Sequence, residues 1–251
     1  PEGDFWYAME LLEGFDLKSL VERHGPVPPA RAVHILRHAC TSLAEAHAAG
    51  LLHRDIKPAN LFACTLGVER DVVKVLDFGL VKPTAPDDDA QLTSQLTESR
   101  SMPGSPAFMA PEVINREPLD PRADLYALGC VAWWLLTGEL VFAGRGSSLK
   151  LLMAHLNDPP GSLAARAPQP IPAELEAIVQ RLLAKAPADR FADALALADA
   201  LDKLPGPPWT QADARAWWAA HHMGSRCTEV QPTNAIRPCT GREVRNVRCE
   251  K

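Results

Sequence analysis

The clearest feature of the sequence is a series of segments with helical periodicity, separated by proline-rich stretches. From Pro29 to Ala49, apolar residues recur three and four positions apart, with prolines before them and a glycine after them, which predicts a long amphipathic helix. The segment from Asp124 to Thr137 is apolar on nearly all sides, as expected for a helix buried inside a domain. Further helices are predicted at Ser148–Asn157, Pro172–Ala186, Phe191–Leu204 and Gln211–His222.

Strand signals are few and lie close together in the sequence. The runs Asn60–Cys64 and Val72–Leu76 are short and apolar or β-branched, and the polar stretch between them contains Gly67, which predicts a two-stranded hairpin. The stretch from Lys82 to Ser105 is rich in Pro, Asp, Ser and Thr, which favours a long mobile loop. Residues 224–251 are polar and without periodicity, which indicates a flexible tail.

Composition narrows the class of protein. A chain of 251 residues with 47% hydrophobic residues can bury a sizeable core, which excludes a mainly disordered protein. The formal net charge of −5 argues against binding to nucleic acid or anionic lipid. The sequence contains no apolar run long enough to span a membrane and no signal peptide at its start, so we expect a cytoplasmic location and no membrane contact from this segment. Cys40, Cys64 and Cys130 each lie in an apolar run and are expected to be buried thiols.

Three short motifs carry the chemical information. They are His53-Arg54-Asp55-Ile56-Lys57-Pro58-Ala59-Asn60, then Asp77-Phe78-Gly79 after the predicted hairpin, then Ala110-Pro111-Glu112. In this order they resemble the protein kinase family, specifically the bacterial serine/threonine kinases of eukaryotic type. The resemblance covers about residues 5–204. It implies an α+β, mainly α, fold: the large C-terminal lobe of a kinase with a small β-hairpin at the catalytic loop and without the N-terminal β lobe.

The resemblance also implies the chemistry. Transfer of a γ-phosphoryl group from ATP requires a positioned hydroxyl and neutralised phosphate charge, with little covalent help from the protein. Asp55 would accept or orient the proton of the substrate hydroxyl, and Lys57 would reach the γ-phosphate. Asn60 and Asp77 would bind Mg²⁺, which prefers hard oxygen ligands. Because Lys57 stands two residues after Asp55, the loop has its serine/threonine form, so the expected partners are protein substrates with Ser or Thr acceptors.

A weaker motif precedes these residues. Met9 to Gly14 resembles the kinase hinge, with Met9 as gatekeeper and the backbone of Glu10 and Leu12 facing adenine. Asp16 would face the ribose, and Phe62 would complete the nucleotide pocket. An ordinary strand followed by a turn explains the same residues nearly as well.

Arg54 directly precedes Asp55, and in kinases with this arrangement the arginine commonly binds a phosphorylated loop residue. The candidate phosphorylation sites are Ser101, Ser99 and Thr97, of which Ser101 stands nearest the usual regulatory position. The alternative is that this Ser/Thr-rich loop is only a soluble linker.

Five further residues are assigned structural roles by the resemblance. His53 would pack and hydrogen-bond within the catalytic loop, and Ser105 would hydrogen-bond Asp55 and Lys57 in the substrate pocket. Glu112 would form a buried ion pair with Arg190. Asp124 would hold the backbone of the catalytic loop, although a helix N-cap is an equally good explanation for this aspartate.

The resemblance divides the chain into four parts. Residues 1–14 would be the end of an N-lobe strand and the hinge, and 15–204 the C-terminal lobe with an activation segment at 77–112. Residues 205–223 would form an additional short helix, before the tail at 224–251. No glycine-rich phosphate loop or strand lysine occurs in the sequence, so we expect part of a longer kinase that can carry a membrane anchor elsewhere. The alternative function is a non-catalytic, kinase-like binding module.

Overall fold

The structure, a computed structural model, describes residues 10–77 and 105–221. Within these residues, three antiparallel strands form one sheet in the order β1-β2-β3. The strands are β1 (Glu13–Asp16), β2 (Leu61–Leu66) and β3 (Glu69–Val75). Strands β2 and β3 include most of the two runs predicted to form a hairpin, and β1 adds a third strand beside β2. Four residues are too few for β1 to show an alternating pattern.

A glycine lets β1 approach β2 closely. Gly14 pairs with Cys64, and a Cβ atom at position 14 would lie only 2.1 Å from the carbonyl oxygen of Ala63. Any side chain there would force the two backbones apart. The sheet thus joins the segment predicted as hinge to the strand that follows the catalytic loop.

The helices of the described residues account for most of the predicted periodic segments. They are α1 (Leu17–His24), α2 (Pro29–Ala48), α3 (Pro111–Ile114), α4 (Arg122–Thr137), α5 (Ser148–Asn157), α6 (Ala173–Leu182), α7 (Ala194–Asp202) and α8 (Gln211–His221). Helix α5 has the predicted bounds, and α2 ends one residue earlier than predicted. Helix α1 was not predicted.

Two predicted helices are longer in the sequence analysis than in the structure. Helix α6 stops at Leu182 because the chain turns into a short 3₁₀ segment at Pro187–Asp189, where proline cannot continue the α-helical hydrogen bonds. Helix α7 starts at Ala194 because the Asp193 side chain caps it, accepting a hydrogen bond from the Ala196 backbone N–H at 2.7 Å.

The core is built around α4. Fourteen of its sixteen residues are buried, including Trp133 with no exposed surface. It contacts α2 on one side and α6 on another. The helix ends at Gly138, which adopts a left-handed conformation with φ 73° and donates its N–H to the Trp134 carbonyl. The fold thereby places the first turn of α4 beneath the catalytic loop.

The three cysteines expected to be buried thiols, Cys40, Cys64 and Cys130, are free and buried. Burial raises the pKa of the Cys40 thiol to about 12, so the thiol stays protonated and unreactive. Within the described ranges, no helix combines the length and apolar character needed to cross a membrane. The predicted mobile loop and the tail lie outside the described residues.

Candidate active site

The catalytic loop is fastened to the core by one buried carboxylate. Asp124 accepts hydrogen bonds from the backbone N–H groups of His53 and Arg54, each at 2.9 Å. Helix α4 begins at Arg122 and its N-cap position is Pro121, so Asp124 is not the N-cap residue. Its carboxylate therefore holds the loop backbone, in the arrangement that the resemblance implied.

Arg54 needs this support because its backbone has a φ of 64°. Left-handed conformations are uncommon for residues other than glycine and persist where surrounding contacts hold them. The sharp bend at Arg54 turns the chain so that Asp55 and Lys57 follow on one side of the loop. Next to it, His53 is buried and donates from Nε2 to the carbonyl oxygen of Leu76 at 2.8 Å.

Asp55, Lys57 and Asn60 meet at one carboxylate. The ammonium group of Lys57 donates to Oδ2 of Asp55 at 2.5 Å, and Nδ2 of Asn60 donates to the same oxygen at 3.0 Å. Nδ2 of Asn60 also donates to the backbone carbonyl of Asp55 at 2.8 Å. The side chains of Asp55 and Lys57 are each about one third exposed, at 30% and 29%. This is a carboxylate held in place by two donors and still open to a ligand.

Asp77 is the second residue after the end of β3. The backbone N–H of Leu76 donates to the carbonyl of Asn60 at 2.8 Å, which fixes the residue before Asp77 against the loop. Asp77 is exposed and has a φ of 61°, so the chain bends sharply there as well. A backbone hydrogen bond thus joins Asn60 to the residue before Asp77, and the side chains of Asn60 and Asp77 both carry oxygen atoms of the kind that Mg²⁺ prefers.

Glu112 and Arg190 form a buried ion pair between the start of α3 and the late helices. The two guanidinium nitrogens of Arg190 donate to the two carboxylate oxygens of Glu112 at 2.6 and 2.8 Å. Arg190 also donates to the backbone carbonyls of Arg122, Ala184 and Lys185. All of its donors are therefore used, which removes the penalty of burying the charge without partners.

A small open pocket lies beside the catalytic loop. It is lined by the loop residues Arg54 and Asp55, by Ser105, and by apolar residues such as Met109 and Ala110. Ser105 lines the same pocket as Asp55, but within the described part of the chain no hydrogen bond joins it to Asp55 or Lys57. The pocket is closed below by Asp124 and Ala127 of α4.

Four of the residues predicted to contact the nucleotide lie in or just before the first two strands: Asp16 ends β1, Phe62 lies in β2, and Glu10 and Leu12 precede β1. Asp16 pairs with Phe62 in the sheet register. Both carboxylate oxygens of Asp16 accept hydrogen bonds from Ser19, so this side chain caps α1. Glu10 is exposed and forms an ion pair with Lys74, and Leu12 is half-buried.

Four predicted residues lie outside the described part of the chain. They are the expected gatekeeper Met9 and the candidate phosphorylation sites Thr97, Ser99 and Ser101. Their assignments stay predictions.

Sequence reasoning missed one residue of the loop's support. Nε2 of His47 in α2 donates to Oδ2 of Asp124 at 2.8 Å, and both side chains are buried. This bond fixes the orientation of the carboxylate that holds the catalytic loop. A signal existed, because position 47 follows Leu43 by four residues and so continues the buried stripe of α2 with a polar side chain.

The family comparison agrees with this geometry. A family model described as the protein kinase domain matches residues 2–201. The serine/threonine-protein kinase pkn3 of Myxococcus xanthus is 38% identical over 194 residues, which is 77% of this chain and 35% of that protein. PknB of Mycobacterium tuberculosis is 33% identical over 192 residues, which is 76% of this chain and 29% of that protein. The chain thus spans about a third of the length of these curated relatives.

Two solved structures are also similar to this chain. The PknI kinase domain of Mycobacterium tuberculosis superposes with a TM-score of 0.54 at 26% identity, covering 78% of this chain and 63% of that chain. Rad53 in complex with AMP-PNP superposes with a TM-score of 0.57 at 26% identity, covering 76% of this chain and 44% of that chain.

Proposed function

Because this chain belongs to the protein kinase family, and to its bacterial serine/threonine branch, we propose that it transfers the γ-phosphate of Mg-ATP to serine or threonine hydroxyls of proteins. The observation that carries the proposal is the meeting of Lys57 and Asn60 on one carboxylate oxygen of Asp55. The described residues correspond to the hinge and the large lobe of a kinase.

Asp55 acts on the acceptor hydroxyl. Its carboxylate is held by two donors on Oδ2, which leaves Oδ1 to accept the hydrogen of a Ser or Thr hydroxyl placed in the adjacent pocket. A carboxylate fixed in this way orients the nucleophile without the cost of reorganising at the moment of reaction. Lys57 lies close enough to Asp55 to neutralise charge that develops on the transferred phosphoryl group.

The donor set fits a magnesium ion. Nδ2 of Asn60 is used in hydrogen bonds to Asp55, so the amide oxygen remains as an acceptor for a cation. Asp77 contributes an exposed carboxylate. These two residues would hold Mg²⁺, which supplies neutralisation of the nucleotide phosphates when bound. The AMP-PNP bound to the Rad53 structure supports the expectation that this chain takes an adenine nucleotide at the same place.

Protein substrates are the expected partners, because the curated relatives are named serine/threonine-protein kinases. The net charge of −5 provides no general attraction for nucleic acid. We further propose a cytoplasmic location for this segment, where ATP is available.

Calorimetry with Mg-ATP tests the nucleotide part of the proposal on this chain. We expect measurable binding that Asp77→Asn weakens on the order of tenfold, since hydrogen bonds and contacts to charged groups contribute about 1.5–3 kcal/mol. Asp55→Asn is the matched control, because it also replaces a carboxylate by an amide and should leave nucleotide affinity within about twofold. Equal affinities in the Asp77→Asn variant and the unchanged chain would contradict the metal assignment.

The transfer step is tested separately with radiolabelled ATP and a protein substrate. Asp55→Asn should abolish incorporation of phosphate while the far-ultraviolet circular dichroism stays unchanged. Retention of near-normal kcat in this variant would refute the role of Asp55. Absence of both binding and transfer in the unchanged chain would favour the alternative of a non-catalytic binding module.

A further inference from the structure

A fully buried carboxylate outside the catalytic loop accepts hydrogen bonds from three different side chains. Asp71 in β3 has no exposed surface and accepts four hydrogen bonds. Arg31 of α2 donates from Nε at 2.8 Å and from Nη2 at 2.7 Å. The indole N–H groups of Trp209 and Trp218 donate at 2.8 and 2.6 Å. Two aromatic residues near the end of the described chain thus reach back to a strand about 140 positions earlier in sequence.

The backbone at Asp71 requires such contacts. Its φ is 56°, in the left-handed region that non-glycine residues rarely adopt. The strand is irregular there, because its register with β2 shifts between Cys64 and Leu66. His34 donates from Nε2 to the Asp71 carbonyl at 2.9 Å. Side-chain and backbone contacts together therefore fix an uncommon conformation in the middle of β3.

A second contact fixes the same part of the strand. The side-chain amide of Gln211 accepts from the backbone N–H of Arg70 and donates to the backbone carbonyl of Arg70, both at 3.0 Å. The amide thus takes the place that a neighbouring strand would occupy at the free edge of β3. We refer to residues 209–221 as the C-terminal clasp. The clasp begins eight residues beyond the match to the kinase family, which ends at residue 201.

The strand held by the clasp leads directly to the predicted metal ligand. Asp77 lies six positions after Asp71, and β3 continues without a break to Val75. At the far end, Leu76 is fixed by Asn60 through its N–H and by His53 through its carbonyl. From Val72 to Val75 the strand pairs regularly with β2, so we infer that a shift of β3 at Asp71 is passed along this paired stretch and strains the two Leu76 contacts that precede the bend at Asp77.

We propose that the C-terminal clasp positions Asp77, with Asp71, Trp209 and Trp218 as positioning residues that set the register of β3. This inference rests on the proposed role of Asp77 as a ligand of the nucleotide's Mg²⁺. Residues that lie beyond the match to the protein kinase family would thus help to form the metal site of the large lobe.

The test removes the two indole donors and keeps the buried ion pair. In the Trp209→Phe/Trp218→Phe variant, Arg31 still neutralises Asp71, so the charge is not left unpaired and the fold is expected to survive. Trp209→Phe alone is a milder variant, because Trp209 is only half-buried. Trp217→Phe is the matched control, since Trp217 stacks on Arg31 at 3.7 Å but donates no hydrogen bond to Asp71.

The first measurement is amide hydrogen exchange, which needs no nucleotide. We expect the Leu76 amide to exchange faster in the double variant, on the order of tenfold or more, while α4 keeps its protection. Trp217→Phe should leave Leu76 unchanged. Faster exchange confined to the clasp and the first residues of β3 would overturn the proposal, and so would an equal effect of Trp217→Phe, because packing alone would then explain it.

The second measurement compares ATP affinity with and without Mg²⁺. The double variant should lose about tenfold in affinity with Mg²⁺ and less than about twofold without it, because only the metal ligand is displaced. A general loss of stability would lower both affinities alike and would overturn the proposal. If the unchanged chain binds no Mg-ATP, the proposed nucleotide site fails for this chain, while hydrogen exchange at Leu76 still decides whether the clasp sets the end of β3.

Discussion

We expect His155 in α5 to make the protein less stable in mild acid. Its side chain is fully buried, and its Nδ1 shares a hydrogen bond of 2.9 Å with the Tyr126 hydroxyl. Burial, and then the nearby Lys185 ammonium, lower the pKa of His155 from 6.5 to about 4, and a contact with the Ala107 backbone opposes them less strongly. The imidazole is therefore neutral in the folded protein at pH values where an unfolded chain would be protonated.

The direction and the size of the change in stability follow from this difference in pKa. As the pH falls below 6.5, His155 becomes protonated in the unfolded chain, whereas in the folded protein it stays neutral down to about pH 4. The free energy of unfolding therefore decreases between about pH 6.5 and pH 4. At about pH 5, one and a half pH units below the unfolded value, the loss is about 2 kcal/mol. With urea m-values of about 1–3 kcal/mol/M, the unfolding midpoint should fall by roughly 1 M.

Urea unfolding of the chain and of His155→Gln at about pH 7.5 and pH 5 isolates this contribution. Glutamine keeps a hydrogen-bonding group near Tyr126 but does not titrate. His24 and His38, whose pKa values burial also lowers, are present in both proteins and cancel in the comparison. Lys185, with a pKa lowered to about 8, titrates above the window. An equal loss of stability in both proteins would refute the assignment to His155.

Two further predictions concern the folded framework. Glu112→Gln should lower the free energy of unfolding by about 3 kcal/mol, because Arg190 would keep a buried charge without its counter-charge; a loss below about 1 kcal/mol in urea unfolding would contradict this. Gly14→Ala should cost at least about 1–3 kcal/mol through its collision with the Ala63 carbonyl, whereas Gly161→Ala, with open space around it, should stay within about 0.5 kcal/mol. Thermal unfolding of both glycine variants tests this contrast, and equal losses of stability in the two variants would contradict it.

Local signals in the sequence were sufficient for most helices. Helix α5 was predicted with its observed bounds because its apolar periodicity coincides with a capping residue, Ser147, whose hydroxyl accepts from the Lys150 N–H. Strand β1 was missed because a strand of four residues is defined by its partner β2, about 48 positions later in sequence, and not by its own pattern.

For the candidate site too, residues close together in the sequence were predicted and contacts between distant residues were not. The resemblance supplied Asp55, Lys57 and Asn60, whose contacts lie within five residues of one another in the loop. The support of the loop by His47 and the anchoring of Asp71 by two tryptophans depend on pairs separated by 77 to 147 positions. Periodicity can indicate that a position such as His47 faces the core, but the partner of that residue is set by the packing of whole helices and cannot be read from a single sequence.

The attachment of the catalytic loop to Asp124 also determines how the loop moves. Two of its backbone N–H groups are bonded to a carboxylate on α4, the most deeply buried helix of the described chain. These amides can exchange with solvent only when the bonds to α4 open, so we expect His53 and Arg54 to exchange as slowly as the core and far more slowly than ordinary loop residues. We therefore expect the sharp bend at Arg54 to be among the last parts of the described chain to open as the protein unfolds.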